Sequence, residues 1–190
     1  SRYRRKQLEG NMIMANTLLN PKTAVWPATL AGATVLGSLA LACIFPFAAI
    51  AALAALTPDR RAGIALVGAV WAANQAVGFL LMNFPWDAQA VGHGIAILAA
   101  TLAGYGLARV GAAKVEGSVF RSVAALVSAF VVYEVLLRAY AQFGGGAENF
   151  SAEIVSGVAI NDAMWFVGLL ALRWVIGQVT GEKAVLSPAR

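Results

Sequence analysis

The 33 residues from Ala24 to Leu56, AVWPATLAGATVLGSLALACIFPFAAIAALAAL, carry no charged side chain, and their reading decides the fold. As one helix rising 1.5 Å per residue they would measure about 50 Å, against a hydrocarbon core of about 30 Å. The run must therefore break. The break falls at Cys43-Ile44-Phe45-Pro46, because Pro46 has no amide donor and disfavours helix in the residue before it. One span is expected over about Ala24 to Ala42 and a second over about Pro46 to Leu56, ending at Thr57-Pro58-Asp59-Arg60-Arg61. On this reading the break, with the chain's single cysteine, faces the extracytoplasmic side.

Outward from that stretch the pattern repeats. Runs of spanning length cover Ala62 to Met82, Val91 to Val110, Ser118 to Gln142 and about Ser151 to Val179. Their connections are Asn83-Phe84-Pro85-Trp86-Asp87, the Gly111 to Gly117 stretch with Lys114 and Glu116, and a loop marked by Gly144-Gly145-Gly146 and Asn149. With 60% hydrophobic and 12% charged residues in 190, and a mean hydropathy of +0.74, the chain is too apolar for a water-soluble globule and too short to hold a separate soluble domain. The expectation is an all-α polytopic membrane protein of six transmembrane helices in a bacterial inner (cytoplasmic) membrane, with both termini cytoplasmic. Residues 1–23 read as a basic cytoplasmic tail, 24–180 as the membrane domain and 181–190 as a second tail. Met12 and Met14 are candidate natural starts, so the residues before them, which read as vector-derived on that choice, stay out of the functional argument.

Charge tests this topology. The net charge of +5 is a topology signal and not a nucleic-acid footprint, because cytoplasmic loops concentrate Lys and Arg. With six spans the inside segments hold Arg60, Arg61, Arg109, Lys114 and Arg121, with Lys183 and Arg190 in the tail; the outside loops hold Asp87, Glu148 and Glu153. Treating Ala24 to Leu56 as one kinked span reverses every later loop and moves the basic residues outside. With six spans, the break, the Asn83 to Asp87 loop and the glycine-rich loop share the extracytoplasmic side.

Several residues could carry chemistry. Cys43 is alone and forms no internal disulfide; its thiolate would be the reactive or ligating form, while the plain alternative is a small apolar side chain filling a gap. His93, between Gly92 and Gly94, is the only histidine, so a bis-His haem is excluded and a zinc site would need Cys43, His93 and acids to converge. Phe84, Trp86 and Asp87 offer aromatic surface and polar groups for an amphipathic ligand, although Trp is also ordinary at a membrane interface. Glu134 and Arg138 are four residues apart on one helix face and can neutralise each other. Asp162, beside Asn161, has no such neighbour, and Asn74 and Gln75 could supply hydrogen bonds to it. Ionisable groups within spans mark function or a compensating partner. Small residues spaced by four, as at Ala24, Ala28 and Gly32, permit close helix contact. There is no phosphate-binding loop, nucleophile triad, HExxH, haem motif or ATPase signature.

The segment Leu41-Ala42-Cys43-Ile44-Phe45-Pro46-Phe47-Ala48-Ala49, followed by Trp71, Asn74-Gln75 and Gly78-Phe79, resembles the S components of energy-coupling-factor vitamin transporters, most closely their solitary cobalamin type. The general resemblance covers nearly the whole chain, while its specificity rests on these residues. It implies a transporter subunit and not an enzyme, capturing cobalamin from outside as a bound substrate, with no prosthetic group. It also implies that Cys43 is the axial ligand of the cobalt, which would involve ligand exchange at the metal; a soft thiolate suits a transition metal. The candidate binding set around it is Phe45, Asn74, Phe84, Trp86, Asp87, His93 and Tyr140. The implied partners are cobalamin, the lipid bilayer and an energising module of ATPases with a transmembrane coupling subunit, which would meet the face carrying Ala24 and Ala28. Two alternatives remain beside it: a proton-coupled or metal-ion permease using Glu134, Asp162 and His93, and a scaffold subunit of a larger membrane complex.

Overall fold

A computed structural model describes residues 45–180 of the chain. Cys43 and the first expected span lie outside the described residues, as do the segments read as terminal tails. The described chain is all-helical, with no strand. Helix α1 covers Phe47–Ala55, and α2 covers Arg60–Ala76 and runs on through a π-helical turn at Val77–Leu81. Helices α3 (Ala88–Ala113) and α4 (Ser118–Gly144) follow, then a 3-10 turn at Ala147–Phe150 and α5 (Ala152–Thr180). Four helices, α2 with its π turn, α3, α4 and α5, are long and apolar enough to cross a membrane, which makes this a multi-pass membrane protein by length and composition.

The sequence accounts for the ends of these helices. Asp59 caps α2 by accepting from the Arg61 amide at 2.9 Å, and Asp87 caps α3 by accepting from the Ala90 amide at 2.8 Å. Gly117 at φ 85° and Gly145 at φ 83° flank α4, in a backbone region that side-chain-bearing residues rarely adopt. Along the α3 and α4 pair, Ala108, Ala125 and Ala129 are buried, and a Cβ on Gly104 would lie 3.0 Å from the Ala129 carbonyl oxygen. Small side chains thus bring the two backbones together, which is how helices associate where the solvent is itself apolar. The outer face of α4 carries Val123, Val127, Val131 and Val135, all exposed, as a lipid-facing surface requires.

The second expected span is where the structure departs from the sequence reading. It is a helix of nine residues, about 14 Å long and under half the hydrocarbon thickness, and every one of its residues is buried. It packs against α2, α3, α4 and α5. Pro46 does begin this helix, as its missing donor predicts, but not at an aqueous surface. Three residues on, the Ala49 amide is already bonded to Asp162, the eleventh residue of the 29-residue α5. The start of α1 is therefore deep in the bundle, where a side chain replaces water as acceptor.

The charge separation expected from the loops is realised at the two ends of the bundle. Arg109 on α3 donates to the Thr57 carbonyl at 2.7 Å, and Arg121 donates to the Val115 carbonyl at 2.9 Å, which gathers the basic residues at one end. At the other end Gln89 donates to the Gly144 carbonyl at 3.4 Å, beside the loop that holds Glu148.

Candidate functional site

The expected site residues fall into three places. The innermost surrounds the start of α1. Phe45 packs on Phe47 with ring centroids 4.6 Å apart, and Phe47 stacks on Tyr133 of α4 at 6.2 Å. Asp162, 1% exposed, accepts from the Ala49 amide at 2.8 Å through Oδ1. Its Oδ2 has no hydrogen-bond partner among the described residues. A carboxylate at a helix N-terminus meets the unpaired amides and the positive end of the helix dipole. The opposite end of α1 has the complementary arrangement: Arg109 Nη1 donates to the carbonyls of Ala55 and Thr57, at 3.4 and 2.7 Å. Asp162 thus has a partner, but it is the α1 backbone and not Asn74 or Gln75.

The expected neutralisation of Glu134 by Arg138 does not occur. Glu134 is half-buried on α4, Arg138 is exposed, and the two form no ion pair. The Arg138 carbonyl instead accepts from the Gln142 amide group at 3.2 Å.

The second place is built by α3, α4 and the glycine-rich loop. His93 Nδ1 lies 2.9 Å from the Gln89 carbonyl oxygen and Nε2 lies 3.2 Å from the Gly145 carbonyl oxygen. The ring meets Tyr140 edge to face, with centroids 5.0 Å apart. A Cβ at Gly144, the last residue of α4, would fall onto the Tyr140 ring one turn earlier on the same helix, while a Cβ at Gly145 would meet Gln89 and one at Gly146 would approach His93. His93 and Tyr140, both expected in the site, are therefore neighbours, and His93 ties the first turns of α3 to the loop.

The third place lies between the π turn and the start of α3. Trp86, 73% exposed, stacks on Phe79 at 4.3 Å, and Phe84 meets Phe79 edge to face at 6.4 Å. Phe79 and Trp86 border an apolar cleft of about 420 Å³ lined also by Trp71, Gln75 and Gly94. Trp71 Nε1 donates to the Gly94 carbonyl at 2.7 Å and fixes one wall. Asp87 serves as the α3 cap, and Asn74 is half-buried on α2 beside Gln75. π turns recur at functional sites because the extra residue leaves a backbone carbonyl out of register.

Phe84, Trp86, His93 and Tyr140 thus gather at the acidic end of the bundle in two adjoining groups, while Phe45 belongs to the inner group. No three of the potential metal-ligating residues His, Cys, Asp and Glu converge among the described residues. Tyr133 and Gln89 contribute to these places and were not singled out from the sequence. The signals were present: Tyr133 and Tyr140 are seven apart on one face of α4, and Gln89 and His93 are four apart on α3. The Ala49 amide left no signal, because a backbone donor has no residue type. No family model, curated protein or solved structure matches the chain.

Proposed function

We propose that the chain is a membrane-embedded binding protein for cobalamin uptake in a bacterial inner membrane. In this proposal there are six membrane-crossing segments, both termini are cytoplasmic, and Cys43 is the axial ligand of the cobalt. The observation that carries the reading is the buried helix that starts at Pro46. Non-helical backbone at membrane depth is tolerated only where protein surrounds it or where it lines a cavity. Phe45 and Pro46 are non-helical, lie inside the bundle, and directly follow the Cys43-Ile44 pair. Aromatic rings at the acidic, outward-assigned end supply apolar surface for a large ring system.

Absorption spectroscopy of the purified protein with cobalamin tests the reading. A bound corrinoid spectrum that changes in Cys43→Ala is expected. An identical spectrum and affinity in that variant would remove the thiolate ligand, and a parent protein that binds no corrinoid would remove the function.

A further inference from the structure

Two clefts open at the basic end of the bundle, one on each side of a ridge made by Arg109 and Val110. The larger, about 480 Å³, lies between α2 and α3, with Arg60 and Arg109 as its cations and Ile64, Leu102 and Val110 as its aliphatic wall. The smaller, about 370 Å³, is lined by Leu56, Val110, Arg109 and Lys114. Arg109 belongs to both.

The charge in these clefts is not cancelled. The Arg109 guanidinium donates to the carbonyls of Ala55, Thr57 and Pro58, which are neutral acceptors. Arg60 and Lys114 are exposed, and none of the three cations has an acid within ion-pair distance among the described residues. The acids next to them in sequence are Asp59, whose Oδ1 accepts from the Arg61 amide at 2.9 Å, and the exposed Glu116.

A soluble anion would satisfy Arg60 and Arg109 and leave the wall of Ile64, Leu102 and Val110 uncovered. An amphiphile with a phosphate and an acyl chain satisfies both halves. Basic pockets between transmembrane helices at the cytoplasmic surface have the chemistry that holds anionic lipid headgroups. We propose that the cleft between α2 and α3 is a binding site for an anionic phospholipid. Its phosphodiester lies between Arg60 and Arg109, one acyl chain runs along Ile64, Leu102 and Val110, and Lys114 across the ridge adds to the positive field.

The test is native mass spectrometry of the purified full chain, titrated with phosphatidylglycerol, with phosphatidylcholine of the same acyl chains, and with inorganic phosphate. Phosphatidylglycerol is expected to bind more tightly than phosphatidylcholine and not to be displaced by inorganic phosphate. Arg60→Gln removes a side chain that makes no hydrogen bond among the described residues, so the fold is expected to persist. It should weaken phosphatidylglycerol about fivefold, the factor one basic group at a membrane surface contributes, and leave phosphatidylcholine unchanged. Ile64→Trp, which fills the cleft without removing charge, should also weaken phosphatidylglycerol. Arg138→Gln, at the opposite end of α4, should change neither lipid. Equal binding of the two lipids, displacement by inorganic phosphate, parental affinity in both Arg60→Gln and Ile64→Trp, or an equal loss in Arg138→Gln would each overturn the proposal.

Discussion

Asp162 of α5 accepts a hydrogen bond from the Ala49 amide of α1 at 2.8 Å, closing the start of a helix that is buried on every side. At the other end of α1, Arg109 holds the carbonyls of Ala55 and Thr57. A nine-residue helix is marginal by itself, since nucleation consumes most of what so few hydrogen bonds return. Burial on every side and opposite charges matched to the two ends of its dipole make it a stable part of the bundle.

Asp162→Ala is expected to lower the thermal midpoint of the detergent-solubilised protein, with a loss of about 1–3 kcal/mol from the acceptor it withdraws from a buried amide. Asp162→Asn retains a carbonyl oxygen and should lose less. The same pair separates two functions: a capping residue predicts that corrinoid binding survives Asp162→Asn, whereas a proton relay predicts lost uptake with intact binding and intact stability.

Arg109→Lys keeps the charge but not the planar fork that reaches Ala55, Thr57 and Pro58 together. The expected outcome is a stability between the parent and Arg109→Gln, with the Gln variant losing about 1.5–3 kcal/mol, the usual range for hydrogen bonds to a charged group. Thermal unfolding of the three proteins side by side checks the order.

Gly104→Val puts a branched side chain where even a Cβ lies 3.0 Å from the Ala129 carbonyl oxygen. The α3 and α4 backbones must then separate, at an expected cost of about 1–3 kcal/mol. Gly106→Val, at a position with open space around it, serves as the control and should stay near the parent.

His93→Ala removes the tie from α3 to the Gly145 carbonyl. Hydrogen exchange at the amides of 145–150 should quicken, while exchange within α3 and α4 keeps its parental rate. Parental exchange in the loop would mean that Gln89, beside Gly145, holds it without the histidine.

Much of the fold could be read from single residues. The ends of α2, α3, α4 and α5 fall within about three residues of the hydrophobic runs, because Asp59, Asp87, Gly117 and Gly145 act on the chain next to them. The start of α1 at Pro46 was equally local, and so was the sorting of basic and acidic loops. The extent of α1 as a crossing was not local. An apolar segment from Pro46 to Leu56 has the same composition whether it faces lipid across a bilayer or ends halfway inside a bundle.

The candidate site divides along the same line. Sequence alone determined a chain that must live in a bilayer, start a helix at Pro46 and collect aromatic and acidic residues at one end, since hydropathy, proline geometry and charge are properties of the residues themselves. Only the tertiary structure decided that Asp162 meets Ala49 across 113 positions of chain, that His93 meets both Tyr140 and the glycine-rich loop, and that Arg60 and Arg109 share an aliphatic cleft. Such pairings depend on which helix faces meet, and in an apolar chain rich in Ala and Gly many faces could meet before packing selects one.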